Sequence, residues 1–213
     1  DYMVSMGFGY TLGVDLPGEK RGMIPNDRYY DKNYRGSWNG LTIISISIGQ
    51  GEVTATPLQI ANLGATIANR GYFITPHVVK NVEGEELDSL YTTKRYTKVR
   101  KEHYETVVNG MRAAVTGGTC RGANLPGWEV CGKTGTAQNR GKDHSAFMGF
   151  APKDNPRIAV SVYVENGGWG ATYGVPIGAL IMEKYLNGKL SPESELKASD
   201  IQHRRIDYGI HER

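Results

Sequence analysis

The chain has 213 residues, of which 39% are hydrophobic and 22% charged, and its formal net charge is +3 at neutral pH. A chain of this length can bury a hydrophobic core, and the composition argues against disorder of the whole chain. The weak positive charge is spread along the sequence and gives no reason to expect nucleic acid as a partner. No run of about 18 apolar residues predicts a membrane-spanning helix.

The first part of the chain is predicted to be mostly irregular or extended. Residues 7–40 are rich in Gly, Pro, Asn and Asp and follow no sustained period, which is typical of irregular structure. Residues 42–48 are apolar and β-rich, so they predict a buried extended run. Residues 72–79 predict a strand, which is interrupted at Pro76 and followed by a charged loop through Lys101.

A capping box predicts the start of the first helix. Thr56 is a suitable N-cap, Pro57 fits the first helical position, and Gln59 stands three residues after the cap. The helix is expected to run to Arg70, where Gly71 can end it in a left-handed turn. Its predicted apolar face consists of Leu58, Ala61, Leu63, Ala65, Ile67 and Ala68.

The second part of the chain predicts two more helices that flank a set of strands. A helical apolar face ends at Gly117, three strands follow at residues 128–133, 145–150 and 158–165, and a last helix begins at Pro176 and is closed by Gly188. The face of the middle helix consists of Tyr104, Val107, Val108, Met111, Ala114 and Val115. The last helix carries Ile177, Leu180, Ile181 and Tyr185.

Strands and helices segregate along the chain rather than alternate. This order favours the α+β class, with an antiparallel sheet and packed helices, over a doubly wound α/β fold. Residues 191–213 are charged and poor in apolar side chains, so they predict a mobile tail or a helix on the surface.

The two cysteines leave the redox state open. Cys120 and Cys131 flank a connection that contains Gly and Pro and could bring them together. Either a disulfide or two reduced thiols fits this spacing, and an extracytoplasmic compartment would favour the disulfide. No cluster of Cys and His in tight spacing predicts a zinc site.

Residues 127–134, Gly-Trp-Glu-Val-Cys-Gly-Lys-Thr, match the phosphate-loop pattern G-x-x-x-x-G-K-[ST]. A phosphate loop is a flexible turn that opens a helix, whose N-terminal amides hold the phosphates. Here the variable positions favour a strand, and no helical period follows Thr134. A nucleotide-binding module through Gly127–Thr134 is therefore only the alternative function.

The same residues also predict a strand that ends in Lys133-Thr134-Gly135-Thr136. Alternation places Lys133 and Gly135 on one face and Thr134 and Thr136 on the other. Lys133 offers a cation to a substrate carboxylate, and Thr134 or Thr136 offers a hydroxyl donor. Gly135 has no side chain to block an extended peptide, and the Thr136 amide is suited to a developing oxyanion.

Further segments surround this triplet in a definite order along the chain. They are Gly7-Phe8-Gly9, Gly13-Val14-Asp15-Leu16, Ser47-Ile48-Gly49-Gln50-Gly51, Thr54-Ala55-Thr56-Pro57-Leu58-Gln59, Cys131-Gly132-Lys133-Thr134-Gly135-Thr136-Ala137-Gln138, Ala146-Phe147-Met148-Gly149-Phe150-Ala151-Pro152 and Val164-Glu165-Asn166-Gly167-Gly168. With these motifs the sequence resembles the class B penicillin-binding proteins over roughly residues 1 to 188.

The resemblance implies the fold and its limits. It implies the penicillin-binding transpeptidase fold, similar to that of serine β-lactamases, present only as its C-terminal part. Residues 1–190 would form that part of the transpeptidase domain, and residues 191–213 a charged C-terminal tail. The first residue is Asp1 rather than Met, which agrees with a piece of a longer chain.

The resemblance also implies an activity, that of a peptidoglycan D,D-transpeptidase that cross-links stem peptides by serine acyl transfer. Lys133 and Thr134 would then recognise the substrate carboxylate, Gly135 would give access, and the Thr136 amide would complete the oxyanion hole. Stem peptides and β-lactams would be its ligands, without a cofactor or a metal. Its place would be the periplasmic face of the inner membrane, anchored by a segment outside this chain.

The family's nucleophilic Ser-x-x-Lys element and its Ser-x-Asn element should both precede the K-T-G strand. Ser194 and Lys197 fit the first pattern but follow that strand. Ser37 and Asn39 fit the Ser-x-Asn pattern. In the family this element precedes the Gly-Phe-Gly segment, whereas Ser37 and Asn39 follow it. We therefore expect both elements upstream of Asp1, an isolated chain without activity, and an exposed apolar patch that favours self-association or a bound partner fragment.

The remaining polar and aromatic candidates carry weaker expectations. Asp143 and His144 are expected in a solvated hairpin, with the rim of the acyl-acceptor side as the alternative. Trp169 and Tyr173 are expected to pack against the last helix, with a substrate groove as the alternative. No role is assigned to the isolated histidines, which are His77, His103, His203 and His211.

Overall fold

A three-stranded antiparallel sheet with helices on both faces forms the centre of the computed structural model, which describes residues 1–206 and residue 208. In chain order the elements are α1 (Tyr2–Ser5), α2 (Asp27–Tyr34), α3 (Gly40–Ser47), α4 (Pro57–Ala68), β1 (Tyr72–Phe73), β2 (Arg95–Tyr96), α5 (Glu102–Thr116), β3 (Cys131–Ala137), β4 (His144–Ala151), β5 (Ile158–Val164), α6 (Gly174–Asn187) and α7 (Pro192–His203). The central sheet has the order β3-β4-β5, and β1 pairs with β2 in a separate ribbon.

Side chains on opposite faces of β4 enter two different cores. Phe147 packs in one core with Val175 and Met182 of α6. Phe150 packs in the other with residues of α4 and α5, among them Val108. The sheet therefore lies between α6 on one face and α4 with α5 on the other, which confirms the predicted α+β class.

The register of β3 against β4 decides which way the K-T-G side chains face. Lys133 lies opposite Met148, and Thr134 lies opposite Phe147. Residues that lie opposite each other share a face of the sheet. Lys133 is thus on the face of α4 and α5 while Thr134 is on the face of α6, as strand alternation predicts.

The first strand of the central sheet, β3, lies further along the chain than predicted. It spans Cys131–Ala137 rather than residues 128–133, so the K-T-G triplet is inside the strand and not at its end. The other two predicted strands are confirmed within a residue at each end, at His144–Ala151 and Ile158–Val164.

The predicted buried strand at residues 42–48 is wrong, because residues 42–47 lie in α3, Ile48 is its C-cap, and none of them is buried. The side chain of Asn39 accepts a hydrogen bond from the Leu41 amide at 2.9 Å, and Thr42 closes a capping box with it. A capped helix satisfies its own backbone groups, whereas a strand needs a neighbour to pair with. Leu41, Ile44 and Ile48 are left 76%, 60% and 72% exposed.

The start of α4 is confirmed, but its predicted apolar face is wrong in part. Thr56 accepts from the Gln59 amide at 3.1 Å and completes the predicted capping box, and the helix ends at Ala68. Leu58 is 39% exposed, whereas Gln59 is 1% exposed. The side-chain Nε2 of Gln59 donates to the carbonyl oxygens of Gly7, Tyr10 and Arg21. This polar side chain therefore binds the N-terminal segment to α4.

The helix predicted to begin at Pro176 is α6; it begins at Gly174, and its buried face differs from the predicted one. Ile181 and Tyr185 are 45% and 55% exposed, while Gly178 and Met182 are buried. A Cβ on Gly178 would lie 2.4 Å from the ring of Phe147. Close approach to the sheet selects small residues here, which a search for large apolar side chains does not find.

Two other expectations are partly right. The segment predicted to be irregular, residues 7–40, contains α2, and the strand predicted at residues 72–79 is only the short β1. The charged tail includes α7, a surface helix without a buried residue, as one of the two alternatives for residues 191–213 predicts.

His211 lies outside the described residues. Among the described helices, none is long and apolar enough to cross a membrane.

Candidate active site

The four residues of the K-T-G-T sequence lie together on an edge strand. In the described part of the chain β3 pairs with β4 on one side only, and its other edge is open. An open edge presents backbone N–H and C=O groups that an extended peptide can pair with. Gly135, in the middle of this edge, has no side chain to obstruct such a peptide.

Lys133 has an exposed side chain whose Nζ donates to the Thr134 carbonyl oxygen at 2.8 Å. It lies at the side of an open groove of about 420 Å³ between α4, α5 and the sheet, which we call the Lys133 groove. Lys133 is the charged member of its lining. The other lining residues are Ile67, Val107, Gly110, Met111, Ala114 and Met148.

The two threonine hydroxyls on the opposite face each have a polar neighbour. Thr134 Oγ1 lies 2.7 Å from the Oγ1 of Thr119, a residue in the connection between α5 and β3. Thr136 Oγ1 accepts a hydrogen bond from the Gly170 amide at 3.4 Å. Neither neighbour was singled out in the sequence, because each is far from β3 along the chain.

A glycine-rich segment, residues 165–173, covers this end of β3; we call it the β5–α6 connection. A Cβ on Gly170 would lie 2.7 Å from the Gly135 carbonyl oxygen and 2.5 Å from that of Ala146. The fully buried Ser145 holds the segment in place, since its hydroxyl donates to the Trp169 carbonyl at 2.8 Å and accepts from the Gly174 amide at 3.0 Å. The repeated glycines were the available signal for this close approach.

Trp169 lies within the β5–α6 connection and Tyr173 at its end, and their surroundings differ. Trp169 is 75% exposed, so the expectation that it packs against the last helix is wrong. The backbone hydrogen bond to Ser145 positions its peptide group, and the indole is left in solvent. Tyr173 is half-buried, and the guanidinium of Arg204 lies 5.6 Å from its ring centroid.

Asp143 and His144 belong to the hairpin between β3 and β4. Both accept hydrogen bonds from residues of the β5–α6 connection. His144 Nδ1 accepts from the Asn166 amide at 2.9 Å, and its ring lies against Tyr163. The carbonyl oxygen of Asp143 accepts from the Gly168 amide at 2.8 Å. These contacts give the two residues a structural role beside β3.

The serines that match family patterns have other partners in this fold. Ser194 donates its hydroxyl to the buried Glu183, and Lys197 forms an ion pair with Glu193 at 2.7 Å. Ser37 is exposed in the connection between α2 and α3, and Asn39 is the N-cap of α3.

Cys120 and Cys131 are both free and buried, and they lie in the two separate cores. The disulfide alternative is therefore not what the structure contains. Burial raises the pKa of the Cys131 thiol to about 11 and also raises the pKa of Cys120. Both side chains are thus protonated apolar groups at neutral pH.

The phosphate-loop alternative fails on local geometry. From Cys131 onward the matching residues run in a strand, and Val130 and Cys131 are fully buried. Thr134 is followed directly by the rest of β3 and not by a helix, so no N-terminal helix amides lie there to hold phosphates. The nucleotide-binding module is not supported.

Comparison with known proteins agrees with this geometry. The family described as penicillin binding protein transpeptidase domain matches residues 1–186. The peptidoglycan D,D-transpeptidase MrdA of Acinetobacter baumannii is 36% identical over 190 residues, which are 80% of this chain and 28% of that protein. The crystal structure of Pseudomonas aeruginosa PBP2 in complex with WCK 5153 superposes with a TM-score of 0.76 at 35% identity, over 90% of this chain and 43% of that one.

A second solved structure, the complex between PBP2 and MreC from Helicobacter pylori, gives a TM-score of 0.75 at 27% identity, over 88% of this chain and 35% of that one. The chain belongs to the family of penicillin-binding protein transpeptidase domains. Within that family its similarity is to penicillin-binding protein 2, the MrdA-type peptidoglycan D,D-transpeptidase. The chain spans about a third or less of the curated relatives, 28% of the Acinetobacter protein and 35% of the MrdA of Haemophilus influenzae.

Proposed function

We propose that this chain supplies the substrate-binding strand of a peptidoglycan D,D-transpeptidase. The observation that carries the proposal is the open edge of β3, where Lys133, Thr134, Gly135 and Thr136 lie together. A cation, two hydroxyls and free backbone groups along one strand suit an extended peptide that ends in a carboxylate.

The reaction would be acyl transfer in two steps. An active-site serine attacks the penultimate D-Ala carbonyl of a stem pentapeptide, and the peptide bond breaks as the terminal D-Ala leaves with a proton on its amine. An amine of a neighbouring stem then attacks the acyl-enzyme ester, forms the cross-link and returns the serine hydroxyl. A β-lactam would acylate the same serine.

Each residue of β3 has a proposed part in this reaction. The Lys133 ammonium and the Thr134 hydroxyl bind the substrate carboxylate, and Gly135 lets the peptide backbone approach the strand. The Thr136 amide donates to the oxyanion, together with the amide of the serine itself. Thr136 also offers a hydroxyl to the carboxylate.

The nucleophile and its base are proposed to lie upstream of Asp1 in a longer protein. Two observations support this. The Ser-x-x-Lys sequence of the chain follows β3 and is engaged elsewhere in the fold. The Lys133 groove and the exposed face of α3 are apolar, as a surface covered by a further segment would be. On this proposal the isolated chain is inactive.

The setting of the enzyme is also a proposal. The Helicobacter pylori neighbour is solved in complex with MreC, and we propose that the longer protein works in a comparable cell-wall assembly. Its place would be the periplasmic face of the inner membrane, with an anchor outside this chain. Peptidoglycan stem peptides and β-lactams are the proposed ligands.

Labelling with a fluorescent penicillin tests the proposal. The 213-residue chain should take up no stable label, and a protein extended upstream should be labelled. In the extended protein, Lys133→Ala should lower the second-order rate constant for acylation by at least about tenfold, because a charge-assisted hydrogen bond to the carboxylate is lost. Lys189→Ala, at an exposed lysine outside the site, is the matched control and should leave the rate unchanged.

Two results would contradict the proposal. Stable labelling of the 213-residue chain would mean that a serine within it is the nucleophile. An unchanged acylation rate in Lys133→Ala would mean that β3 does not bind the carboxylate.

A further inference from the structure

The hydroxyl of Thr134 has a partner that the proposed function does not use. Thr119 Oγ1 lies 2.7 Å from Thr134 Oγ1, and either oxygen can be the donor. Thr119 is outside β3, in the connection that follows α5. The pair therefore joins the carboxylate-binding strand to a separate segment of the chain.

The fold holds Thr119 firmly at this place. The residue before it, Gly118, leaves no room for a side chain, because a Cβ there would lie 2.8 Å from the Ala114 Cα. The residue after it, Cys120, is fully buried, and its amide donates to the Ala114 carbonyl oxygen at 3.0 Å. With both neighbours anchored on α5, the Thr119 hydroxyl has a defined position beside Thr134.

A substrate carboxylate only accepts hydrogen bonds, so a useful threonine hydroxyl must point its single proton at it. At Thr136 the Gly170 amide donates to the oxygen, which leaves the hydroxyl proton available for another acceptor. At Thr134 the same arrangement results if Thr119 is the donor. If Thr134 donated to Thr119 instead, an oxygen lone pair would face the carboxylate.

We propose that Thr119 is a positioning residue for substrate binding: its hydroxyl donates to Thr134 Oγ1 and so directs the Thr134 proton at the substrate carboxylate. The two hydroxyls and the carboxylate form a chain in which each hydrogen bond strengthens the next. This inference rests on the proposed function, because it assumes that Thr134 binds a carboxylate.

The test compares benzylpenicillin with its methyl ester, in which the carboxylate is blocked. The second-order rate constant for acylation is measured for both, with the protein extended upstream. Thr119→Val and Thr119→Ala should each lower the ratio of the free-acid to the ester rate constant about tenfold, since the carboxylate loses an oriented donor. Thr119→Ser keeps the hydroxyl and should change this ratio less than about twofold.

Thr116→Val is the matched control, because this exposed threonine at the end of α5 donates its hydroxyl to the Ala113 carbonyl oxygen of its own helix. It should leave the ratio unchanged. Melting temperatures of all variants show whether the fold is intact.

Several outcomes would overturn the inference. An equal loss with both penicillins, or a Thr119→Ser that behaves like Thr119→Val, would mean that Thr119 only supports the strand. An unchanged ratio in both Thr119→Val and Thr119→Ala would mean that it has no part in carboxylate binding. Lys133→Ala separates this from the proposed function: if that variant loses acylation while the Thr119 variants keep the ratio, only the inference about Thr119 fails.

Discussion

Gly170 is a residue of the candidate site where the backbone leaves no room for a side chain. The Cβ of any other residue would lie 2.5 Å from the Ala146 carbonyl oxygen and 2.7 Å from that of Gly135. Both oxygens belong to the backbone of paired strands, so they cannot move aside as a flexible side chain could. The β5–α6 connection would have to lift off β3.

We predict that Gly170→Ala destabilises the fold by about 1–3 kcal/mol, because overpacking against backbone atoms forces the segment to shift. Since the Gly170 amide also bonds Thr136, acylation of the extended protein by a fluorescent penicillin should slow as well. Urea unfolding and labelling kinetics measure the two effects. Gly141→Ala is the matched control, since the nearest atom to its Cβ is 3.8 Å away. Equal behaviour of the two variants would contradict the prediction.

At the residue scale the sequence predicted the candidate site residues within β3 but not their neighbours. Lys133 and Gly135 follow from a motif of adjacent residues. Thr119, Ser145 and Gly170 reach the candidate site through contacts between segments that are distant along the chain. No local pattern encodes such contacts, because they depend on how the elements pack.

At the scale of elements, Glu183 joins the last two helices. It is 6% exposed on α6, and its carboxylate accepts from the Ser191 amide at 2.8 Å and from the Ser194 hydroxyl at the start of α7. Burial raises the pKa of Glu183, but the hydrogen bonds from Ser194 and Ser191 outweigh it and hold the pKa below its ordinary value of 4.5. The charged form is thus the one that the fold favours.

A lowered pKa in the folded state determines the sign of the pH dependence. Glu183 contributes its stability above pH 4.5, and the contribution is lost as the pH falls through the lowered pKa. We predict that Glu183→Gln lowers the free energy of unfolding by about 1–3 kcal/mol at pH 7, because the amide nitrogen cannot accept from Ser194. The difference from the unmodified protein should shrink in acid, where the carboxyl is protonated.

Urea unfolding at a series of pH values measures this difference. Glu193→Gln, at an exposed residue of α7 that pairs with Lys197, is the control and should have little effect. A pH-independent loss in Glu183→Gln would show that the charge on Glu183 is not what joins α6 to α7.

The helices also show where sequence periodicity misleads. On α4 the polar Gln59 and Thr66 are fully buried, and on α6 Gly178 packs where a Cβ would meet the ring of Phe147. Apolar side chains on both helices face outward instead, Leu58 and Ile181 among them. Periodicity locates a helix, but the face that it buries depends on what packs against it.

At the scale of the molecule, the described surface carries an apolar stripe on α3. Leu41 and Ile44 on this helix and Ile48 at its C-cap are 76%, 60% and 72% exposed. Contiguous apolar surface of this kind is typical of an interaction site. We propose that it is part of the apolar patch that the sequence predicts.

We predict that the 213-residue chain self-associates through this stripe. Light scattering over a range of concentrations should show species larger than a monomer, and Ile44→Asp should reduce them. Leu196→Asp is the matched control, since Leu196 is 74% exposed on α7 and apart from the stripe. A monodisperse monomer of the unmodified chain would contradict the prediction.

By itself the sequence determined the α+β class, the order of the strands in the chain, the capping box at Thr56 and the functional groups that residues 133–136 can offer. These features depend on adjacent residues and on the period of each element, so they can be seen without the fold. The tertiary structure decided the rest: that residues 42–48 form a helix, that Cys120 and Cys131 lie in separate cores, and that Thr119 and Gly170 meet the hydroxyls of β3. The reason is physical, because burial, pairing and hydrogen-bond partners are properties of the packed chain and not of any one segment.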